Sequence, residues 1–254
     1  MKKGALFALL LSGLTAVIAG GAFLWPRRPW RAAIVVNERT LTAGELDLRA
    51  RMLYEDARRA GWQSVPDAQE EELSYFRRRA AKMWIVKEVL LAEALTRGFT
   101  VSSADEKESR NQIAARLKGR NLTPEQFFRE GPLPEELKLR DFREGVLVDK
   151  FTAAEVRDRI SITTKEITER QDELQRQVSK KSAPGAPEAM VSRKRAIDSL
   201  RVERFRQGFR RLFRELYAKS DVKCPAFRDL ETLDGVMPKR SGDAAPPRTL
   251  AERP

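Results

Sequence analysis

Hydrophobic positions recur mostly at helical spacing, and the longest such pattern runs from Glu71 to Gly98. Apolar residues return every three or four positions there, which predicts one long amphipathic α-helix. Trp84, Leu91 and Leu95 widen the apolar stripe, so we expect this helix to be enclosed on more than one side. Gly98 tolerates the left-handed backbone that commonly ends a helix. The stripe itself consists of Leu73, Phe76, Ala80, Met83, Val86, Leu90 and Ala94.

Capping signals predict where several further helices begin. A Ser or Thr three residues before a Glu or Gln permits reciprocal hydrogen bonds between side chain and backbone at a helix start. Apolar stripes also predict two more long helices, over residues 135–159 and 191–219. We therefore expect a mainly α-helical fold. The capping pairs are Thr42 with Glu45, Ser103 with Glu106, Thr123 with Gln126, and Thr163 with Glu166.

Short β-branched runs predict only a few strands. Ala32–Val36 has the composition of a strand, and Asn37 and Glu38 can turn the chain so that residues 40–41 return beside it. Two shorter candidate strands are residues 160–162 and 221–225.

The first 25 residues predict export. Residues 4–25 carry no charge and follow a short basic head. Their length suits a membrane-spanning helix that stays as an inner-membrane anchor. Ala19, Gly20 and Gly21 also allow cleavage as a signal peptide. Both interpretations place the remaining chain in the periplasm, either tethered to the inner membrane or released.

Composition narrows the possible chemistry. The 254 residues include no His and only Cys224, so the commonest general base, a thiolate zinc cluster and an intrachain disulfide are all excluded. We expect no enzymatic activity, cofactor or metal. The formal charge of +12 favours anionic partners. Basic and acidic residues nevertheless alternate on helix faces, as at residues 155–159, and no nucleic-acid motif is present, so nucleic acid is not the expected ligand.

Composition shifts divide the chain into five parts. The stretch KSAPGAPEAM has the composition of a linker, and the last residues are rich in Pro, Gly and charge. We predict an export segment over residues 1–25, a helical module over 30–178, a linker over 179–190, a helix and short strand packing back on the module over 191–228, and a disordered tail over 229–254.

Several of these stretches, in their order, resemble the N-terminal chaperone module of SurA-like and PrsA-like periplasmic folding factors. AAIVVNERTLTAGELDLR resembles the opening strand and capped helix of that family, and VKEVLLAEALTRGFTVSSADE resembles its second signature. Residues 139–156 and 160–167 resemble the long helix and the outgoing capped segment. Residues 191–222 resemble the C-terminal helix and strand that complete the module. The resemblance implies a module that binds unfolded or nascent exported and outer-membrane proteins.

One departure from the family pattern limits what the resemblance implies. The family usually carries one or two parvulin-type prolyl isomerase domains before the returning helix. Here residues 170–190 fill that gap, which is too short for such a domain. Glu38 also stands where the family commonly has Gly. The resemblance therefore implies a chaperone module without isomerase activity.

Met and aromatic side chains suit a promiscuous binding groove because they adapt to varied partners. On this ground Met83, Trp84, Phe127 and Phe128 are the candidate peptide-binding residues, and the alternative is that they belong to the core. A second function is a membrane-anchored scaffold that binds one dedicated partner through the Arg-rich face of helix 191–219 or through the basic tail. A nucleic-acid binder is a third, supported only by the basic pI.

Overall fold

The computed structural model describes residues 31–61, 69–118, 122–181 and 190–237. It is mainly helical with a small three-stranded antiparallel sheet, which confirms the predicted fold class in its coarse form. The strands are β1 Ala32–Val36, β2 Arg39–Thr42 and β3 Val222–Lys223. The helices are α1 Ala43–Arg59, α2 Gln69–Thr96, α3 Ser103–Leu117, α4 Pro124–Arg129, α5 Glu135–Glu155, α6 Thr164–Lys181, α7 Arg193–Tyr217 and α8 Leu233–Val236, with 3₁₀ turns at Arg157–Arg159 and Arg228–Glu231.

The sheet joins the two ends of the described chain. β1 lies in the centre, with β2 paired on one side through a tight hairpin and β3 on the other. Asn37 turns the hairpin with φ 53°, a left-handed conformation that Asn tolerates better than most residues. Its side-chain oxygen accepts from the Asp221 N–H at 3.0 Å, and its own N–H donates to the Asp221 carbonyl oxygen at 2.8 Å. The predicted strands at both ends of the chain are thus confirmed.

The predicted strand over residues 160–162 is wrong. These residues are extended but pair with no strand in the part of the chain that the structure describes. The Ile160 N–H donates to the Arg157 carbonyl oxygen and closes the 3₁₀ turn that follows α5. The predicted helix over 135–159 therefore ends in a tighter turn, and the chain leaves it as a short connection to α6.

The chain divides into two compact units. The first comprises residues 1–85, 130–134 and 221–254, and its described part contains the sheet, α1, the first half of α2 and the C-terminal turns. Phe76 is buried at its centre, with Tyr54 and Tyr75 packed edge-on at ring distances of 5.6 and 5.2 Å. Other fully buried side chains of this unit are Ile34, Leu41, Ala81, Ile85, Cys224 and Leu230.

The prediction of a disordered tail from residue 229 is wrong for its first residues. Leu230 and Val236 are 0 % and 5 % exposed, and Asp229 pairs with Arg78 of α2. Sparse apolar positions among Gly, Asp and Thr gave no helical period, so composition alone pointed to disorder. Residues 238–254 lie outside the described residues, as do the predicted export segment and residues 182–189 of the predicted linker.

The second unit comprises residues 86–129 and 135–220. Its last two helices, α6 and α7, pack side by side and antiparallel. Gln171 donates to the Val191 carbonyl oxygen and Gln175 accepts from the Val191 N–H, both at 2.8 Å, while Arg170 pairs with Glu203. One face of α7 carries an aromatic ladder at helical spacing, made of Phe205, Phe209, Phe213 and Tyr217.

Three of the four predicted caps are confirmed, and one is displaced by a residue. The expected pair Ser103 and Glu106 is wrong, because Ser102 caps α3 and exchanges hydrogen bonds with Asp105. The sequence offers both registers. In the observed register the Lys150 amine donates to Asp105 at 2.8 Å, and this bond, together with those from the Ser102 N–H and hydroxyl, lowers the pKa of the Asp105 carboxyl to about 2. The confirmed caps are Thr42 on α1, Thr123 with Gln126 on α4, and Thr163 with Glu166 on α6.

No helix within the described ranges is both long and apolar enough to cross a membrane.

Candidate functional site

The four side chains predicted to bind peptides divide into two exposed and two buried. Met83 and Phe127 are 55 % and 36 % exposed, whereas Trp84 and Phe128 are 5 % and 3 % exposed. Trp84 and Phe128 therefore do not line an open groove, and that part of the prediction is wrong. Met83 and Trp84 belong to the first unit, and Phe127 and Phe128 belong to the second.

Helix geometry explains why Phe127 is exposed while the adjacent Phe128 is buried. Successive side chains on a helix point about 100° apart, so one of two adjacent aromatics can face inward while the other faces solvent. Phe128 packs edge-on against Phe142 at 5.4 Å, and the Arg110 guanidinium lies 5.5 Å from the Phe128 ring centre. Phe128 is thus a packing residue of the second unit.

A buried ionic cluster around Lys87 in the second unit has a structural role and is not a catalytic site. The Lys87 amine lies 2.7 Å from Asp141, 2.5 Å from Glu144 and 3.2 Å from Glu88. Burial acts to lower the pKa of Lys87, but the hydrogen bonds that its ammonium donates to Asp141 and Glu144 outweigh burial and raise the pKa above its usual value. A lysine held in its charged form is not a nucleophile, and this one ties α2 to α5.

Other reactive groups offer no site. Burial raises the pKa of the Cys224 thiol to about 11, so it stays protonated and inert. Among the residues described, no cluster of three or more His, Cys, Asp or Glu side chains is placed to hold a metal ion.

The strongest candidate for a binding site lies on α7, at what we call the Phe205 pocket. It is an open cavity of about 580 Å³ beside the connection between α5 and α6. Ile160 comes from that connection, and Val202 is 49 % exposed on α7. Apolar surface at this pocket is thus accessible to a ligand. The lining residues are Arg157, Ile160, Arg201, Val202, Phe205 and Arg206.

The arginines of the Phe205 pocket have no acidic partner within the described ranges. Among the residues that the structure describes, Arg157 donates only to the backbone oxygen of Asp149, and the exposed Arg201 and Arg206 of α7 form no ion pair. By contrast, Arg204 points to α6 and pairs with Glu166. The positive charge at the pocket is therefore left for an external anion.

A second cavity of about 630 Å³, which we call the Gly208 pocket, lies farther along α7 and shares Ile160. Its charges are largely compensated, because Arg159 pairs with Glu155 and Arg204 with Glu166. Glu215 adds a further carboxylate to its lining. This cavity has no comparable preference for an anion.

The pairing of α7 with the chain after α5 creates both pockets. Gly208 permits the close approach, because a Cβ there would lie 2.8 Å from Val156 Cγ1. The sequence indicated the Arg-rich face of helix 191–219 as a possible binding surface. Two of the pocket arginines, Arg201 and Arg206, lie on that helix, whereas Arg157 comes from the 3₁₀ turn after α5. Phe205 is one of the apolar residues at helical spacing that predicted helix 191–219. That spacing predicts burial, so the sequence did not indicate that Phe205 lines a pocket.

Comparison of the sequence with protein-family models and with curated proteins finds no match. The resemblance to SurA-like and PrsA-like folding factors therefore stays a prediction.

Proposed function

We propose that this chain is a non-enzymatic chaperone or assembly factor that binds unfolded or extended segments of exported proteins in the periplasm. The observation that carries the proposal is the Phe205 pocket, where exposed apolar surface adjoins arginines that have no acidic partner among the described residues. Such a combination suits acidic segments that contain aromatic or large aliphatic residues.

The binding would be weak and reversible. Val202 and Phe205 offer a shallow apolar surface, and each arginine can donate two parallel hydrogen bonds to a carboxylate. Both groups stay accessible to water, which limits the gain from each contact. We expect dissociation constants of about micromolar, or roughly 8 kcal/mol in total. Release of the client then requires no nucleotide.

Sequence features support the same proposal. The uncharged residues 4–25 predict export, and the order of motifs from residue 32 to 222 resembles a periplasmic chaperone module. The stretch between residues 170 and 190 is too short for an isomerase domain, so binding without catalysis is the expected activity.

An aggregation assay tests this proposal. Several chemically denatured outer-membrane proteins are diluted into buffer with or without the full chain, and light scattering is followed. We expect the chain to suppress scattering for most clients, and the R201E/R206E variant to lose most of this effect. The matched control is R210E/R214E, which makes the same charge change at exposed positions of α7 outside the pocket. Unaltered scattering with every client would refute the proposal.

A membrane-anchored scaffold that binds one dedicated partner is the second candidate. The observation that favours it is the charge of α7, whose nine basic and three acidic residues carry half of the formal charge of +12. Under this alternative, capture from an envelope extract returns one stoichiometric partner, and R210E/R214E weakens that capture as much as R201E/R206E does. Capture of many unfolded proteins supports the chaperone instead.

A further inference from the structure

The Phe205 pocket offers its charged and apolar groups at a defined spacing. Arg201 and Phe205 are four residues apart on α7, as are Val202 and Arg206. Residues four apart lie on the same helix face and are separated by about 6 Å along the axis. The pocket thus presents two rows along the helix, each with one guanidinium and one apolar group. In the first row the guanidinium of Arg201 comes before Phe205, and in the second Val202 comes before the guanidinium of Arg206.

An extended peptide offers a matching spacing. Its side chains at positions i and i+2 lie on the same face, about 6.7 Å apart, while the residue between them points away. An acidic residue and an aromatic residue two positions apart can therefore contact one row of the pocket together. Placing the two residues next to each other sends one of them to the opposite face.

From this match, and resting on the proposed function, we infer that the Phe205 pocket selects extended segments in which an acidic residue stands two positions from an aromatic or large aliphatic residue. Because the two rows run in opposite directions, the acidic residue can precede or follow the apolar one. The cavity of about 580 Å³ accommodates one such pair of side chains.

Charge sets the expected preference for an acidic residue over its neutral analogue. Arg201 and Arg206 are exposed and form no ion pair with the described residues, so a carboxylate displaces no internal partner. A hydrogen bond to a charged group is stronger than one between neutral groups, and the contact remains partly screened by solvent. We expect a carboxylate to bind about tenfold more tightly than the corresponding amide.

Three fluorescently labelled peptides test this inference with the full chain, by anisotropy titration. All are acetylated and amidated, so that no terminal charge contributes, and they share Gly and Ser flanks. One contains Asp-Gly-Phe, the second the isomer Asp-Phe-Gly, and the third Asn-Gly-Phe. We expect the first to bind about tenfold more tightly than either of the others.

Two charge-reversal variants locate the effect. R201E/R206E should lose the preference for Asp-Gly-Phe and instead prefer a Lys-Gly-Phe peptide, whereas R210E/R214E should behave as the parent chain does. Thermal melts establish that the variants are folded, and R201Q/R206Q replaces the charge reversal if that variant unfolds. A preference that survives in a folded R201E/R206E or R201Q/R206Q variant overturns the assignment to this pocket.

The outcomes separate this inference from the proposed function. Equal binding of Asp-Gly-Phe and Asp-Phe-Gly by a chain that suppresses aggregation overturns the spacing rule and leaves the chaperone proposal intact. Spacing-dependent binding by a chain that suppresses no aggregation supports the pocket as a recognition site and overturns the chaperone proposal.

Discussion

At the scale of single residues, Gly208 decides how closely α7 approaches the chain that leaves α5. No positive φ requires glycine at this position, since the residue lies within a regular helix. Its role is spatial, because a Cβ would lie 2.8 Å from Val156 Cγ1 and Val has few rotamers with which to yield. The Gly208 pocket, which both residues line, depends on this contact.

The Gly208→Ala substitution should destabilise the protein by about 1–3 kcal/mol, because the strain of the added methyl outweighs the better helix propensity of Ala. Gly145→Ala in α5 is the matched control. A Cβ at Gly145 meets nothing within 4 Å, so this change should stabilise by about 0.5–1 kcal/mol. Urea unfolding measures the change in the free energy of unfolding for both variants. A Gly208→Ala protein as stable as Gly145→Ala would contradict the close contact, and V156A should partly rescue G208A.

At the scale of elements, the Lys87 cluster links α2 to α5 within the second unit. The amine contacts Asp141 and Glu144, and the three side chains are only 17 %, 21 % and 15 % exposed. A buried charge that loses its partner is costly, whereas the intact pair contributes little beyond an apolar contact of similar size. The cluster therefore fixes how these helices meet more than it stabilises the fold.

Replacing Lys87 with Met should destabilise the protein by about 3 kcal/mol at neutral pH, because Asp141 and Glu144 lose their cation. The raised pKa of Lys87 means that its contribution is complete below the ordinary lysine pKa of 10.5 and is lost as the pH rises through the folded value. The stability difference between parent and Lys87→Met should thus shrink in strong alkali. Lys107→Met, on an exposed residue of α3, is the control and should change stability by less than about 0.5 kcal/mol.

At the scale of the whole molecule, residues far apart in sequence complete the first unit. β3 pairs with β1 although most of the chain separates the two strands in sequence, and Asp221 exchanges two hydrogen bonds with Asn37. Leu230 is fully buried, and Asp229 pairs with Arg78. The N-terminal strands of this unit therefore depend on the C-terminal segment for part of their sheet and core.

Truncation after Ser220 should disrupt the first unit, because it removes β3 together with the buried Cys224, Leu230 and Val236. Loss of several buried side chains exceeds the typical stability of a domain. Amide hydrogen exchange should show lost protection in β1 and β2. Truncation after Met237 keeps every described C-terminal residue and is the control. Full protection of β1 in the shorter chain would contradict this dependence.

The sequence by itself located the long helices and the N-terminal strands of the described chain. Apolar positions at helical spacing located α2, α5 and α7 because burial of one face imposes that period. Capping residues located the starts of α4 and α6, since Thr123 and Thr163 bond to nearby backbone whatever the tertiary fold. Local sequence was sufficient to predict a helix start wherever the partner of the capping side chain lies within one helical turn.

Tertiary structure decided what depends on distant partners. Asp105 of the α3 cap also accepts a hydrogen bond from Lys150 of α5, and Leu230 within residues 228–237 is fully buried; a local pattern reveals neither contact. Trp84 and Phe128 matched a groove by residue type, but neighbouring elements bury them. The Phe205 pocket arises where α7 meets the chain after α5, so its apolar stripe and its arginines became a candidate site only once that packing placed them together.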